Sequence, residues 1–171
     1  MTRGKNQACG EARIVANGFW CRLEWTTEGI RRLRFGRSGA ADTSGSSGPP
    51  AGAPSFLARA LERLAAYFGG RRVDFDDVPV DLGRCSAFDR RVYAAARTIA
   101  YGRTLTYGGL AARAGVPRAS RAVGGSMRRN PVPIVIPCHR VIRSDSTLGG
   151  FSAPGGAGMK RRLLAMEGTE L

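Results

Sequence analysis

The segment NPVPIVIPCHRVI, from Asn130 to Ile142, constrains the fold most, because three prolines stiffen an apolar run that ends in Cys138 and His139. The prolines fix the backbone where the chain delivers Cys138, and the apolar side chains anchor the segment in a core. His139 is the only histidine of the chain. A thiol without a neighbouring base has a pKa near ~8.5 and is mostly protonated at neutral pH. A cysteine beside a histidine therefore indicates an activated nucleophile.

The charge of the chain is strongly positive and unevenly distributed. The 171 residues carry a net charge of +14, and 43% of them are hydrophobic, which suits one compact domain or two small ones. Residues 1–83 have 12 basic and 9 acidic side chains, whereas residues 84–171 have 15 and 4. A basic half of a folded chain indicates a polyanionic partner, most often nucleic acid. For the total charge, a genome composition rich in arginine is the alternative explanation.

The sequence contains no sign of a membrane span, a signal peptide or a metal module. The N-terminus, MTRGKNQACGEARI, lacks the apolar core of a signal peptide, and the apolar runs are too short to cross a bilayer. We therefore expect no membrane contact and a cytoplasmic location, at the nucleoid if the host is bacterial. A zinc site would have to use Cys9, Cys21 and Cys85 at spacings that fit no metal module. We expect no metal and no cofactor.

Residues 1–83 are expected to form an N-terminal α/β subdomain with a small antiparallel sheet and a helix. Asn17-Gly18 between two apolar runs predicts a two-residue hairpin. Phe19–Trp25 alternates apolar and polar residues with the period of a half-buried strand. The remaining predicted elements are a third strand at 30–35, a flexible loop at about 38–54, a helix at 56–68, and a short edge strand with a linker at 72–82.

Residues 84–171 are expected to form a mostly helical C-terminal subdomain with a helix-turn-helix. Ser86 can cap a first helix, and Thr106 can cap a second helix that Gly115 terminates. A tight Gly-Val-Pro turn then leads to a third helix at about 119–129. An ordinary helical hairpin is the alternative, but five arginines crowd this unit and favour DNA binding: Arg113, Arg118, Arg121, Arg128 and Arg129. A last helix is expected at 158–167.

The third helix presents one long cation among small side chains. In ASRAVGG, residues 119–125, two glycines lie close to Arg121. Each glycine costs the helix about 1 kcal/mol relative to alanine, but small side chains allow a partner to approach closely. Arg121 is therefore a candidate to enter a duplex, and Arg128 and Arg129 are candidates to contact phosphate. Tight helix packing is the alternative explanation of the glycines.

The motifs of the C-terminal half together resemble those of a known family. PCHRV is preceded by RAVGGSMRRNPVPIVI and followed by GGFSAPGG and LLAMEG. In this order they resemble the O6-alkylguanine-DNA alkyltransferases, also called methylated-DNA–protein-cysteine methyltransferases. The resemblance is dense over residues 84–168, with Tyr107, Arg121, Asn130 and Glu167 at the family spacing. In the N-terminal half the resemblance is limited to the arrangement of the predicted elements.

The resemblance implies roles for the residues around Cys138. Cys138 would accept the alkyl group, and His139 would act as its base through a water. Glu167 would hold His139 in the required tautomer, and Asn130 would brace the turn at the cysteine. The Glu167 carboxylate would favour a cationic imidazole at His139, and the cationic imidazole would stabilise the Cys138 thiolate. We therefore expect the pKa of Cys138 to lie below its reference value.

The resemblance also implies contacts with a flipped guanine. Tyr107 would donate its hydroxyl to the base, and Arg121 would fill the gap left in the duplex. The carbonyl oxygens of Cys138 and Val141 would accept from the guanine amino group, and the Ser152 amide would donate to O6.

The implied function is direct-reversal repair of double-stranded DNA, bound in the minor groove by a monomer. The thiolate would take the alkyl group from O6-alkylguanine, and less readily from O4-alkylthymine. The product is a thioether, which does not exchange as disulfides do, so each molecule would act once. Phe151 stands where the family commonly has tyrosine, and the pair Ala153-Pro154 lengthens the next loop, which leaves the substrate range open.

Two alternative functions are kept. A non-enzymatic protein that binds alkylated DNA would lack Cys138. A helix-turn-helix transcription factor would leave the adjacent cysteine and histidine unexplained.

Overall fold

The computed structural model describes residues 10–38 and 48–170, and the chain divides into two compact units, one up to Arg84 and one from Cys85. The first unit contains a three-stranded sheet and a helix, and the second is mostly helical. The predicted α/β (α+β) fold class is confirmed. Cys9 and residues 39–47 of the predicted loop lie outside the described residues. Within the described ranges, no helix is both long and apolar enough to cross a bilayer.

The sheet of the first unit is an antiparallel meander of strands β1 (Gly10–Ala16), β2 (Phe19–Thr26) and β3 (Gly29–Arg37). The predicted hairpin is confirmed, since Asn17 and Gly18 have φ of 50° and 75°, as a two-residue turn of this kind requires. The alternating residues of β2 form the inner face of the sheet and are buried: Phe19, Cys21, Leu23 and Trp25.

Helix α1 (Ser55–Phe68) packs against strands β1 and β3 of this sheet. Its last residue, Phe68, stacks on Phe19 with ring centroids 4.7 Å apart. The helix ends where the sequence predicts, at Gly69 and Gly70, and Gly70 has a φ of 76° that favours glycine. The burial of one helical stripe against the sheet supplies the core of this unit.

The short edge strand that the sequence predicts at 72–82 is reduced to a single parallel bridge between Ile30 and Val80. The backbone N–H of Ile30 donates to Pro79 O at 2.9 Å, and Asp81 N–H donates to Ile30 O at 2.9 Å. Pro79 has no N–H to offer, and the residues before it turn, so a longer ladder does not form.

The second unit contains the predicted helices, and two of their caps are those that the sequence indicates. The Ser86 side chain accepts from the Asp89 N–H, and the Thr106 side chain accepts from the Gly109 N–H. The chain turns at Gly115, which has a φ of 72°. The four helices are α2 (Ala87–Arg97), α3 (Tyr107–Arg113), α4 (Ser120–Arg128) and α5 (Gly156–Met166).

A buried polar cluster holds α4 against α2. The Asp89 carboxylate accepts hydrogen bonds from the Ser126 hydroxyl and from Arg129, the latter at 2.9 Å. The Tyr93 hydroxyl donates to the Ser126 carbonyl at 3.0 Å. Burial raises the pKa of Asp89. The hydrogen bonds from Ser126, Ser86 and Arg129 outweigh this effect, so the pKa of Asp89 is lowered overall. The cluster fixes the end of α4, from which the chain continues to the cysteine.

The proline-rich segment delivers Cys138 through a buried and irregular path. Residues 132 and 134–136 are buried, and Ile134 has a φ of 74°, which a β-branched residue adopts only under strain. Strand β5 (Val141–Ile142) then pairs in parallel with strand β4 (Leu105–Thr106). The sequence does not predict β4, because a two-residue strand has no readable period. This pairing places the start of α3 beside the residues that follow the cysteine.

Candidate active site

Cys138 lies at the start of a short 3-10 helix, Cys138–Arg140, and is 4% exposed. Asn130 holds the turn that precedes it. The Asn130 side-chain amide donates to Ile136 O at 2.8 Å, and its oxygen accepts from Val132 N–H at 3.0 Å. These two bonds fix the backbone on both sides of the strained residue at position 134, so the thiol position is set by the segment and not by its own rotamer alone.

Behind the cysteine, His139, Arg140 and Glu167 form a buried cluster. His139 Nε2 lies 2.7 Å from Glu167 Oε1. Arg140 forms a bidentate pair with the same carboxylate, at 2.8 and 3.0 Å, and donates to Ile99 O at 2.6 Å. The Gly102 N–H donates to Glu167 Oε2 at 3.1 Å. Every lone-pair direction of the carboxylate is therefore directed at a donor.

The proton positions in this cluster follow from its charges. Burial disfavours the Glu167 carboxylate, but His139 and Arg140 outweigh burial and lower the pKa of Glu167, which is therefore ionised. An ionised carboxylate only accepts hydrogen bonds, so Nε2 of His139 carries the proton. In the neutral imidazole, Nδ1 is then the basic nitrogen.

The structure contradicts the expectation of a lowered cysteine pKa. Burial raises the pKa of Cys138, and the Asn130 side chain, the Lys160 charge and nearby backbone N–H groups reverse this only in part. Burial lowers the pKa of His139, and the charges of Arg140 and Lys160 lower it further, so that the opposing effect of Glu167, which favours the imidazolium, is outweighed. The resting pair is therefore a neutral thiol beside a neutral imidazole. The sequence reasoning missed this because it considered the charges and not the desolvation.

Lys160 is a second buried cation near Cys138. Its ammonium group donates to the carbonyl oxygens of Val141 and Leu148, and it lies 5.9 Å from the centre of the Tyr107 ring. Burial lowers the pKa of Lys160 to about 8, although the Cys138 thiolate would favour the charged lysine. The lysine therefore ties β5 to the loop that follows it and places a positive potential beside the sulfur.

A pocket of about 550 Å³ opens beside Cys138. Burial raises the pKa of the Tyr107 phenol at its wall, so this hydroxyl remains a hydrogen-bond donor at neutral pH. None of the described residues that line this pocket is acidic. The lining residues are Tyr107, Arg121, Gly124, Gly125, Met127, Arg128, Cys138, Arg143, Gly149, Gly150, Phe151 and Ser152.

The sequence-predicted site residues fall into two groups. Six line the pocket: Tyr107, Arg121, Arg128, Cys138, Phe151 and Ser152. Four do not line it: Asn130 braces the turn, His139 and Glu167 lie in the buried cluster, and Val141 lies in β5, where its carbonyl oxygen accepts from Lys160.

Three charged residues of the site were missed by the sequence reasoning. Arg140 belongs to the quoted motif but received no role, and Lys160 and Arg143 were counted only as part of the positive charge. The sequence offers only a weak indication that these residues belong to the site. Lys160 follows the apolar Met159 in a helix otherwise rich in exposed arginine, and only its burial distinguishes it from those neighbours.

No three histidine, cysteine, aspartate or glutamate side chains converge on a possible metal position within the described part of the chain. Cys21, one of the three cysteines considered for zinc, lies in the core of the first unit, and burial raises its pKa.

Comparisons with known proteins identify the family of this chain. The model of the 6-O-methylguanine DNA methyltransferase DNA-binding domain matches residues 87–169. The methylated-DNA–protein-cysteine methyltransferase of Methanothermobacter thermautotrophicus is 40% identical over 147 residues, which cover 86% of this chain and 78% of that protein. The chain belongs to the methylated-DNA–protein-cysteine methyltransferase family. The resemblance inferred from the sequence motifs is thereby confirmed.

Other family members support the assignment over both units. The methyltransferase of Mycolicibacterium paratuberculosis is 47% identical over 114 residues, 67% of each chain. The crystal structure of Mycobacterium tuberculosis OGT in complex with DNA matches 92% of this chain and 92% of that chain, with a TM-score of 0.73 and 36% identity. The methyltransferase fold thus extends beyond the DNA-binding domain into the first unit.

Proposed function

We propose that this protein repairs DNA by transferring the alkyl group of O6-alkylguanine to the sulfur of Cys138. The observation that carries the proposal is the position of the thiol: it lines a pocket on one side and is backed by a buried histidine–carboxylate pair on the other. A transcription factor needs no such arrangement. A protein that only binds lesions needs no thiol at this position.

The base must leave the duplex to reach the pocket, which costs a few kcal/mol. Arg121 projects from α4 into the pocket lining between small residues, so it is suited to replace the extruded base in the stack. Arg128 lies on the same helix and is suited to bind phosphate. We infer that the helix-turn-helix binds in the minor groove and that a monomer suffices, because one chain supplies the complete site.

The proposed reaction is a single displacement at the alkyl carbon. The Cys138 proton passes to Nδ1 of His139, through a water, while Nε2–H remains bonded to Glu167. The thiolate forms the new sulfur–carbon bond as the carbon–O6 bond breaks, and the electron pair of that bond remains with guanine. The guanine anion then takes up the proton that His139 holds, so that the products are neutral guanine, a neutral imidazole and a thioether.

The buried cluster makes this proton transfer feasible. Before the reaction, the positive charge of Arg140 balances the negative charge of Glu167. The imidazolium that forms at His139 is then balanced by the negative charge of the new Cys138 thiolate. Lys160 adds a second positive potential near the sulfur. These groups are already in place in the folded chain, so no solvent has to reorganise during the step.

The thioether product has no route back to the thiol within this protein. We therefore propose that each molecule acts once, that O4-alkylthymine is a poorer substrate of the same site, and that the protein works at the DNA in the cytoplasm. Phe151 offers a ring without a hydroxyl at the pocket wall, which favours apolar alkyl groups there.

The test is incubation of the protein with duplex DNA containing O6-methylguanine, followed by mass measurement of the intact protein and its peptides. We expect one methyl group per molecule, on the peptide containing Cys138, and no transfer to the Cys138→Ser variant. Tight binding of the lesion by the wild type without any mass change would indicate a lesion-binding protein instead. Methylation of Cys85 would also contradict the proposal.

A further inference from the structure

Arg143 is a pocket residue to which the proposed reaction assigns no role. It follows strand β5 directly and lines the same pocket as Cys138. The other two arginines of the lining, Arg121 and Arg128, come from helix α4. The pocket therefore receives cationic side chains from two separate elements of the second unit.

The backbone at Arg143 is held in a tight turn. Its N–H donates to Thr147 O at 2.9 Å, and its carbonyl accepts from Ser146 N–H at 3.1 Å. Within the turn, the Asp145 carboxylate accepts from the Thr147 N–H at 3.0 Å and from its hydroxyl at 2.7 Å. The base of the side chain is therefore fixed, although the residue itself is exposed.

Lys160 reinforces this turn from the interior, because its ammonium group binds the carbonyl oxygens of Val141 and Leu148, one on either side of the turn. Both carbonyls lie in buried residues. The loop that carries Arg143 is thus held at both ends by Lys160. The position of Arg143 relative to strand β5 is therefore fixed by a buried side chain.

Among the described residues, no carboxylate is hydrogen-bonded to or ion-paired with the Arg143 guanidinium, unlike those of its basic neighbours, although the charge of Asp145 in the same turn attracts it. Arg129 is paired with Asp89, and Arg140 is paired with Glu167. Across the described part of the chain, no carboxylate or carbonyl group accepts a hydrogen bond from the side chain of Arg143, Arg121 or Arg128. All three pocket arginines are therefore available to an anion from outside the protein.

Arg143 shares its part of the wall with Tyr107. A methyl group added at Gly149 would lie 3.3 Å from the Tyr107 hydroxyl and 3.5 Å from Arg143 Cγ, so this glycine is packed between the two side chains. The Arg143 charge also favours the ionised Tyr107 phenol, against the larger effect of burial. The guanidinium and the phenol thus act on the same region of the pocket.

We propose that Arg143 binds a backbone phosphate of the flipped nucleotide, which is then held by arginines from α4 and from the loop after β5. The inference rests on the proposed function. An O6-methylguanine base is neutral, so the charged groups that enter the pocket region with it are the phosphates of its own strand. A planar guanidinium binds phosphate in a bidentate manner, and an arginine whose N–H groups are not hydrogen-bonded to a carboxylate can present them to a phosphate.

The experiment compares Arg143→Ala and Arg143→Lys with Arg161→Ala, a control that removes one exposed positive charge from α5, outside the pocket lining. Each protein is assayed on duplex DNA containing O6-methylguanine and on the free base. For Arg143→Ala we expect transfer from limiting duplex to slow about tenfold. The slope of log affinity against log salt should decrease by about 0.9, as expected for one lost phosphate contact. Transfer from the free base should not change, and the lysine variant should retain part of the duplex activity.

Three outcomes would overturn the inference. Equal slowing with duplex and free base would mean that Arg143 acts on the base or on the thiol. An effect of Arg161→Ala as large as that of Arg143→Ala would mean that only net charge matters. Selective loss of transfer from free O6-carboxymethylguanine would assign Arg143 to an anionic adduct instead. Methyl transfer by the wild type is measured first, so a failure of the proposed function itself is seen separately.

Discussion

His139 Nε2 lies 2.7 Å from Glu167 Oε1, although 28 residues separate them, and both side chains are fully buried. Arg140 binds the same carboxylate through two further bonds. Glu167 therefore has two tasks: it orients the histidine and it compensates a buried arginine. We therefore expect a change at Glu167 to affect the folded state as well as the proposed reaction.

The first prediction concerns stability. Glu167→Gln leaves Arg140 buried without its counter-charge, so we expect the free energy of unfolding to fall by about 3–5 kcal/mol in denaturant titrations. Adding Arg140→Met should recover part of this loss, because an apolar side chain needs no partner. Glu170→Gln, which changes an exposed carboxylate nearby, is the control. Equal effects of the two glutamine variants would show that the buried pair contributes nothing.

The second prediction concerns pH. The pKa of Glu167 is lowered from its ordinary value of 4.5 in the folded protein. Its contribution to stability is therefore complete above about pH 4.5 and is lost progressively as the pH falls toward the folded-state pKa. The difference in unfolding free energy between wild type and Glu167→Gln, measured by urea titration from pH 7 to pH 3, should be constant at first and shrink at the acidic end. A constant difference down to pH 3 would contradict it.

The third prediction concerns Lys160. Its positive charge favours the Cys138 thiolate, so Lys160→Met should raise the apparent pKa for alkylation of this thiol. The rate of iodoacetamide labelling at Cys138, followed by peptide mass from pH 6 to pH 10, measures the shift. Arg161→Met is the control, since it removes an adjacent but exposed charge. Superimposable profiles for the wild type and Lys160→Met would refute the electrostatic role.

The fourth prediction separates two neighbouring arginines. Arg128 lines the pocket, whereas Arg129 is paired with the buried Asp89. Arg128→Ala should weaken duplex binding and reduce the salt slope by about 0.9, with little change in stability. Arg129→Ala should lower the unfolding free energy by about 1 kcal/mol and leave the salt slope nearly intact. Binding at several salt concentrations and thermal unfolding of both variants test this, and identical behaviour of the two would count against it.

The fifth prediction concerns Arg121 as the residue that replaces the flipped base. Arg121→Ala should slow repair of duplex DNA more than transfer from free O6-methylguanine, because the free base needs no extrusion. Single-turnover rates on both substrates supply the comparison. A mismatch opposite the lesion weakens the pairing and should narrow the gap between variant and wild type. Equal slowing on all three substrates would rule out this role.

Short-range sequence patterns are sufficient to predict several elements of this fold and the candidate reactive segment. The Asn17-Gly18 turn, the alternation in β2 and the Ser86 and Thr106 caps are short-range patterns, and the structure confirms each of them. The adjacent cysteine and histidine after a proline-rich run predicted the candidate reactive segment, because that pattern is continuous in the chain.

The compensation of the charges in the site depends instead on contacts between distant parts of the chain. Arg140 and Lys160 look like their exposed neighbours in the sequence, and the pairing of β4 with β5 joins two residues with two others far along the chain. Burial reversed the expected shift of the Cys138 pKa, because desolvation depends on how completely the fold surrounds the sulfur. These properties arise from long-range packing, which no local sequence pattern specifies.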